Sequence, residues 1–529
     1  MNLESARIHE LFDGWRARSP DRVFLLLPSP AVIPGSTRDL LVRSSDPWIA
    51  GQVRNDSVAT MTYAQVGALV DTLEAELRAD GVRPGDRVLA VAENCPEHLA
   101  LIVACSRVGA WSCGVNARMA PGEVAAFANK ADARVHYFTG GVSRAAAAHA
   151  SRFDALPSAV AGLLRSPVRA EAVAETGPLA GEVAAIIFTS GTSGTPKGVL
   201  MTHQQSLVAC VHSVRAMHLT PEDVLPAAFP FAHIAGYRAA WQTAVLNGLR
   251  VDPVRTVDAL GMLEMVQTNR STILPSVPTV YQAMMEHEAR NDFDLSSLRL
   301  AMTGGTTVPV DLIRQIRTRL GVPFVTTAYG MTETAGNISY CRIGDPDEVV
   351  AHSAGRPLDN LDVRVVGPDL APLPQGRAGE IVVRGFQVTH GYLDDPAATA
   401  ASLTPDGYFR TGDIGLIDAG GNVRITDRLK NMYICGGFNC YPAEIEQALC
   451  LLPGVSQVAV IGTGDRRLGE VGRAFIVPAG DPPLDEAAVI AWSRDNMAGY
   501  KVPRSVRFVD ALPLNASGKV SKEILRAME

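Results

Sequence analysis

The sequence predicts an α/β protein: a large N-terminal domain of mostly parallel sheets flanked by helices, carrying a β-rich lobe, and then a small α+β C-terminal domain. Three observations predict it. Brief apolar runs alternate with helix-like segments through the first 350 positions, several ending in Gly, Ser or Thr, as buried parallel strands do. After about residue 355 the texture changes to short alternating strands separated by Gly, Pro and Asp turns. Near 430 it changes again, to alternating strand-like and helix-like segments that fill the last hundred residues. At 529 residues, 47% hydrophobic and 19% charged, the chain can bury several cores at about 150 residues per domain. That excludes a disordered scaffold, a fibrous repeat and a small disulfide-stapled domain.

In chain order, residues 62–84 place apolar side chains at helical spacing and stop on Gly81 and a Pro-Gly turn. RVLAVAEN (87–94), RVHYF (134–138), AAIIF (184–188), TILPS (272–276), RLAMT (299–303) and VPFVTT (322–327) read as strands. The Ala-rich stretch 144–174 reads as a polar-faced helix and connecting loop. DVRVVG, EIVVRG, GYFRTGDIG and NVRITDR build the β-rich lobe. EIEQALC, VSQVAVIG, AFIVP, DEAAVIAWSRDNM and VRFVD make the last lobe, with DRLKN (427–431) as the joint. The expected domains are therefore 1–427 (β-rich lobe about 355–427), a hinge at 428–432, and 433–529.

A net charge of −7 gives no global basic field for nucleic acid or anionic lipid. Six lysines stand against 42 arginines, so each lysine invites a reason. Eight cysteines without a CxxC pair argue for reduced, mostly buried thiols rather than a zinc site or a disulfide framework. VFLLLP (23–28) is too short for a signal core, and Leu99–Val115 is broken by Arg107 and too short to span a bilayer. No integral membrane segment and a cytoplasmic location are expected.

Chemistry concentrates in a few segments. Thr189-Ser190-Gly191-Thr192-Ser193-Gly194-Thr195-Pro196-Lys197-Gly198 follows the strand AAIIF; its three glycines and five hydroxyl residues suit it to surround phosphate oxygens. Pro196 stands where a Walker A loop has its second glycine. Glu333 offers an oxygen ligand of the kind Mg²⁺ takes beside nucleotide phosphates, or is a solvated loop acid. Asp413, in a Gly-Asp turn, either accepts two ribose hydroxyls or forms the turn. Tyr329 either stacks on a base or fills a core. His233, after an aromatic stretch, is either a satisfied core histidine or a pocket residue.

The decapeptide resembles the phosphate loop of the adenylate-forming (AMP-binding) superfamily, in the acyl-CoA synthetase or acid–thiol ligase branch, and the resemblance continues in order along most of the chain. Phe229-Pro-Phe-Ala-His-Ile-Ala-Gly236 is similar to the family's Pro-x-x-His segment, and Tyr329-Gly330-Met331-Thr332-Glu333-Thr334 to its adenine- and metal-binding signature. AGEIVVRG (378–385), YFRTGD (408–413), DRLKNMYICGG (427–437) with YPAEIE (441–446), and PLNASGK (513–519) complete the set. The resemblance implies binding of ATP and AMP by residues 189–195, Lys197, Gly304, Gly305, 329–334, Asp413, Arg428 and Lys519. It implies catalytic roles for Lys519, Glu333, Thr189 and His233, and Mg²⁺ held by Glu333 and Thr189. It further implies a mobile C-terminal domain turning about Lys430, a pantetheine tunnel at Gly436 and Gly437, and an acyl pocket lined by His233, Phe231 and Tyr237. Asn431, where the family commonly has Asp, changes the hinge's hydrogen bonding.

The activity so implied is ATP-dependent conversion of a carboxylic acid, apolar and of fatty, aryl or alicyclic type, to acyl-AMP and pyrophosphate, then transfer to coenzyme A. The segment 229–241 holds no Asp or Glu to pair with an amino acid's ammonium group. An enzyme that loads its acyl-AMP onto a carrier protein is the first alternative, although the chain stops ten residues after Lys519 with no carrier domain fused. A luciferase-type oxygenase and a non-catalytic acyl-adenylate-binding protein are further ones. A homodimer and a lysine acetyltransferase acting on Lys519 are kept as candidate partners.

Overall fold

The computed structural model describes residues 6–27, 60–189, 196–255, 257–304, 308–436, 438–479, 484–514 and 520–528, the side chains of Lys430 and Asn439 excepted. Ser190–Thr195 of the phosphate-loop segment, Gly305, Gly437 and Lys519 lie outside them. The chain divides into two compact units. The first comprises Met1–Gly304, Val310–Val350 and Gly385–Ala401; the second comprises Gly305–Pro309, Ala351–Arg384 and Ser402–Glu529.

Among the described residues the first unit contains three sheets. In a seven-stranded sheet, Val135–Phe138, Arg87–Ala92, Trp111–Asn116 and Val183–Thr189 run parallel in that spatial order, and Lys197–Thr202 closes one edge antiparallel to Val183–Thr189. The strand Arg87–Ala92 is buried along its whole length, which is why it reads as an unbroken apolar run. A second sheet pairs Val224–Ala227, Arg250–Pro253 and Val23–Leu26 in parallel. VFLLLP thus supplies a buried strand, and the short RVDP run supplies another that periodicity does not flag. In a third sheet Ile273–Pro275, Leu300–Gly304 and Phe324–Tyr329 are parallel, and Ser339–Tyr340 returns antiparallel.

Helix Tyr63–Ala79 begins on a capping box, in which the Thr62 hydroxyl accepts from Gln65 N and the Gln65 side chain accepts from Thr62 N. Leu99–Val115 resolves into the end of helix Pro96–Val108 and the start of strand Trp111–Asn116, turned by Gly109 at φ +75°. The Ala-rich stretch is helical only over Arg144–Ala150, followed by a short 3-10 turn and two-residue strands.

The second unit holds an antiparallel sheet of Leu361–Val366, Gly379–Gly385, Phe409–Ile417 and Val423–Arg428, which is the β-rich lobe. It also holds the last lobe, where Val455–Asp465 and Gly469–Pro478 form a long antiparallel pair and Ser505–Phe508 joins the latter in parallel. Helices Pro442–Leu449, Glu486–Asn496 and Lys522–Ala527 accompany this sheet. By compactness the β-rich lobe groups with the C-terminal region, so this division falls near residue 351, whereas the sequence suggests a cut at 428–432. Seven of the eight cysteines are buried; Cys450 is exposed. Among the described residues no helix is long and apolar enough to cross a membrane.

Candidate active site

In the first unit the motif residues gather at the carboxyl ends of parallel strands, where open α/β sheets bind ligands. Thr189 ends the strand Val183–Thr189, and its hydroxyl donates to the Lys197 carbonyl at 3.5 Å, a weak contact across the two strands that flank the phosphate-loop segment. Gly304 ends Leu300–Gly304 with φ +153°, a region few side chains tolerate. Tyr329 ends Phe324–Tyr329 and is half-buried.

The signature that follows is a tight turn. Gly330 has no room for a side chain: a Cβ there would lie 2.4 Å from the Gly336 carbonyl oxygen and 2.5 Å from Asn337 Cα. Thr334 is fully buried, and its hydroxyl accepts from Met331 N and donates to Met331 O, closing the 3-10 turn Thr332–Thr334. Ala335 is held at φ +52°. Strain of this kind persists where surroundings over-determine the backbone. Here the Gln387 amide donates to the Thr334 carbonyl at 3.0 Å and to the Asn337 carbonyl, and Thr389 N donates to the Glu333 carbonyl at 2.7 Å. Glu333 itself is only 7% exposed, and the Tyr392 hydroxyl donates to its Oε1 at 2.9 Å.

Beneath this turn lies Arg238, whose side chain is fully buried. Its guanidinium donates to the Ala209 carbonyl and the Ser213 hydroxyl, at 3.3 and 2.5 Å. Because Arg has donors only, the Asn337 amide must present its oxygen, 3.1 Å from Arg238 Nη1, and then its nitrogen donates to the Gly336 carbonyl. Gln387, Tyr392 and Arg238 are absent from the motif reading. Tyr392 had one sequence signal, its place seven residues past the AGEIVVRG motif.

His233 is exposed, and its Nδ1 accepts from Ala235 N at 3.2 Å at the start of the π-helix Ala235–Gln242. Phe231 and Tyr237 are 1% and 2% exposed and face the hydrophobic core, where Tyr237 meets Trp241 edge-on at 5.5 Å. Beside exposed His233, the partly exposed positions of 231–240 are Ala232, Ala235 and Ala239.

In the second unit, Asp413 is 2% exposed in the strand Phe409–Ile417, just past Gly412 at φ +67°. It sits directly opposite Arg428 in register, and Arg428 Nε lies 2.5 Å from its Oδ1. Asp427 accepts from Ala443 N at 2.6 Å, near the start of helix Pro442–Leu449, and from the Asn431 amide at 3.2 Å. Asn431 is thus a donor to the Asp four residues before it. Leu429–Asn431 is a single 3-10 turn. Gly436 turns the hairpin between Tyr433–Cys435 and Phe438–Cys440 at φ +58°.

Among the described residues no cluster of three or more His, Cys, Asp or Glu could cage a metal ion. The buried Glu333 carboxylate, one acidic group rather than a cage, would fit a Mg²⁺ ion that takes most of its ligands from phosphates and water.

Comparison with known proteins agrees with these motifs. The family model for AMP-binding enzymes matches residues 46–393, and that for the AMP-binding enzyme C-terminal domain matches residues 444–519. A 3-[(3aS,4S,7aS)-7a-methyl-1,5-dioxo-octahydro-1H-inden-4-yl]propanoyl:CoA ligase of Mycobacterium tuberculosis is 43% identical over 86% of this chain and 91% of its own. A feruloyl-CoA synthase of an Amycolatopsis species is 38% identical over 90% and 95%. The crystal structure of ATP-bound MatB from Rhodopseudomonas palustris superposes with a TM-score of 0.82 at 28% identity, covering 99% of both chains. The chain belongs to the AMP-binding enzyme family, as an AMP-forming acid–thiol ligase of the acyl-CoA synthetase type.

Proposed function

We propose that this ligase activates a bulky, apolar ring acid, alicyclic or aryl, and passes it to coenzyme A. The observation that carries the substrate class is the face left partly exposed at the π-helix: Ala232, Ala235 and Ala239 leave width beside His233, and Arg238, the one charge in 229–241, is spent inside the core. Three relatives are named for ring acids: the indenyl-propanoyl ligase, the feruloyl-CoA synthase, and an indoleacetate–CoA ligase of Aromatoleum aromaticum, 35% identical over 88% of this chain.

In this reading the acid's carboxylate attacks the α-phosphorus of ATP and pyrophosphate leaves. Thr189 to Lys197 surround the phosphates, Tyr329 stacks on adenine against Gly304 and Gly305, and Asp413 with Arg428 receives the ribose. Glu333, with Thr189, would hold Mg²⁺, which neutralises phosphate charge when bound. Lys519 stabilises the charge that grows in the transition state, a contribution whose loss typically costs about 10²–10³-fold. The region after the hinge at Lys430 then turns, and Gly436 and Gly437 admit the pantetheine arm so that the thiol attacks the acyl carbonyl of acyl-AMP, AMP leaves and acyl-CoA forms.

The test is pyrophosphate release with cyclohexylpropanoate, ferulate, indoleacetate, decanoate and phenylalanine, with and without coenzyme A. Ring acids are expected to lead, phenylalanine to fail, and coenzyme A to convert a single burst into turnover. Preference for decanoate, or activity with phenylalanine, would overturn the substrate class. A burst that coenzyme A does not relieve points to a carrier protein as acceptor.

A further inference from the structure

Residues 387–393 form a strap between two parts of the nucleotide machinery. On one side they hold the signature turn, through Gln387, Thr389 N and the Tyr392 hydroxyl. On the other they are zipped to the strand Lys197–Thr202, which leaves the phosphate-loop segment. Leu200 N donates to the Gly391 carbonyl at 3.1 Å, Leu393 N to the Gly198 carbonyl at 2.7 Å, and the Thr389 hydroxyl to the Leu200 carbonyl at 2.7 Å. Val199 and Tyr392 pair as an antiparallel bridge. Gly391, at φ +134°, makes the bend that brings Tyr392 round; a Cβ there would strike the Thr399 side chain at 2.6 Å.

Tyr392 is where the two sides meet. Its hydroxyl bonds Glu333 at 2.9 Å, and the Lys197 ammonium lies 4.7 Å from its ring centroid.

We propose that Tyr392 is a positioning residue for adenylation: it aims the Glu333 carboxylate and ties it to the lysine that ends the phosphate loop, so that a divalent cation carried in by ATP meets a ligand already oriented. A phenol does this better than a cation would. It fixes the direction of the carboxylate with a hydrogen bond that brings no charge of its own. The ammonium over the ring makes the phenol a stronger donor and holds Lys197 beside Tyr392. The proposal rests on the reading of Glu333 as a metal ligand.

Tyr392→Phe removes only the hydroxyl and keeps the ring under Lys197. With the full chain, MgCl₂ titrations of ATP binding by calorimetry, without acid, are the primary readout; pyrophosphate release with the best ring acid is the second. The half-saturating Mg²⁺ concentration should rise about tenfold, the typical low end for loss of a partner that orients a metal ligand. The gap in affinity between Mg·ATP and ATP in EDTA should shrink by the same factor. At saturating Mg²⁺ turnover should recover to within about threefold, with the KM for acid and the melting temperature unchanged. Glu333→Gln is the control. If it shifts the Mg²⁺ dependence and Tyr392→Phe does not, Tyr392 merely packs and the inference falls alone. If neither shifts it, the metal role of Glu333 falls and takes the inference with it. A loss in Tyr392→Phe that no Mg²⁺ concentration relieves, with a lowered melting temperature, also overturns it.

Discussion

Glu333 in the first unit and Asp413 in the second are both buried carboxylates within motif segments, and they are supported by different chemistry. Glu333, in the first unit, takes a hydrogen bond from a neutral phenol, whereas Asp413, in the second, faces a guanidinium at 2.5 Å. A neutral donor orients a carboxylate and leaves its charge to act on something else. A cation cancels that charge, and in the proposed ribose site the pair would have to be shared or exchanged with ligand hydroxyls. Arg428 is 46% exposed, so its guanidinium can turn to water, whereas the Asp413 carboxylate, 3% exposed, depends on whatever partner remains. The second unit repeats the ionic solution, with Lys522 on Glu446 and Lys501 on Glu444. Two of the six lysines are therefore structural, while Lys197 sits over Tyr392.

The largest effect that tests this contrast comes from Asp413→Asn. If the carboxylate accepts two ribose hydroxyls, the change weakens hydrogen bonds to a charged group worth about 1.5–3 kcal/mol each. The KM for ATP should then rise about 10–100-fold, with turnover at saturating ATP much less affected. Steady-state kinetics over a wide ATP range decide the matter. An unchanged KM would mean that Asp413 serves only to hold Arg428, and the ionic pair would be architecture rather than a receptor.

A smaller effect is expected from Arg428→Gln. The melting temperature should fall, since the buried Asp413 carboxylate loses its guanidinium partner, and the KM for ATP should rise about 3–10-fold through loss of contacts to ribose or phosphate. A KM that falls would sharpen the comparison the other way, making Arg428 a plug that ATP must displace from Asp413.

The parts of the fold and site that the sequence declares are those set by local chemistry. The strands that end in Gly, Ser or Thr, the turn that needs Gly330, and the Gly412-Asp413 corner are visible because residue type and backbone demand coincide there. Two kinds of information are not local. One is which way the aromatics turn in 229–241. The segment enters a π-helix only at Ala235, and Phe231 before it and Tyr237 within it both face the core while Ala232, Ala235 and Ala239 stay partly exposed. The other is pairing across long sequence separation. Tyr392 reaches Glu333 59 residues back, and only the strap's pairing with the strand Lys197–Thr202 shows why. Arg238 is hidden for the same reason: its partners Ser213 and Asn337 lie on other segments.

The smallest effect at neutral pH, and a distinct one in acid, belongs to His98. It is 1% exposed, 5.8 Å from the Phe231 ring, and lines a small enclosed cavity with Tyr237 and Ser112. Neither ring nitrogen closes a hydrogen bond; the nearby Glu93 backbone weakly favours the proton without doing so. Burial lowers its pKa to about 4 from 6.5. A histidine neutral in the folded state and protonated in the unfolded state contributes stability that is present above about pH 6.5 and lost as pH falls toward 4, because the unfolded chain binds the extra proton in that window. Two other buried histidines of the first unit act in the same direction, His136, lowered to about 4 mainly by burial, and His203, lowered to about 3 mainly by burial. In the second unit the one histidine, His352, is exposed, so acid in this range should attack the first unit selectively. His98→Leu removes a buried polar ring with no partners to orphan, so the melting temperature at pH 7 should hold or rise. At pH 5 the variant should be more stable than the parent by about 1–2 kcal/mol, from 1.36 kcal/mol per pH unit over the interval below 6.5. Denaturant melts from pH 7.5 to 4.5, with hydrogen exchange to assign the loss to a unit, measure it. An acid limb as steep in His98→Leu as in the parent would show that His98 is already protonated in the fold.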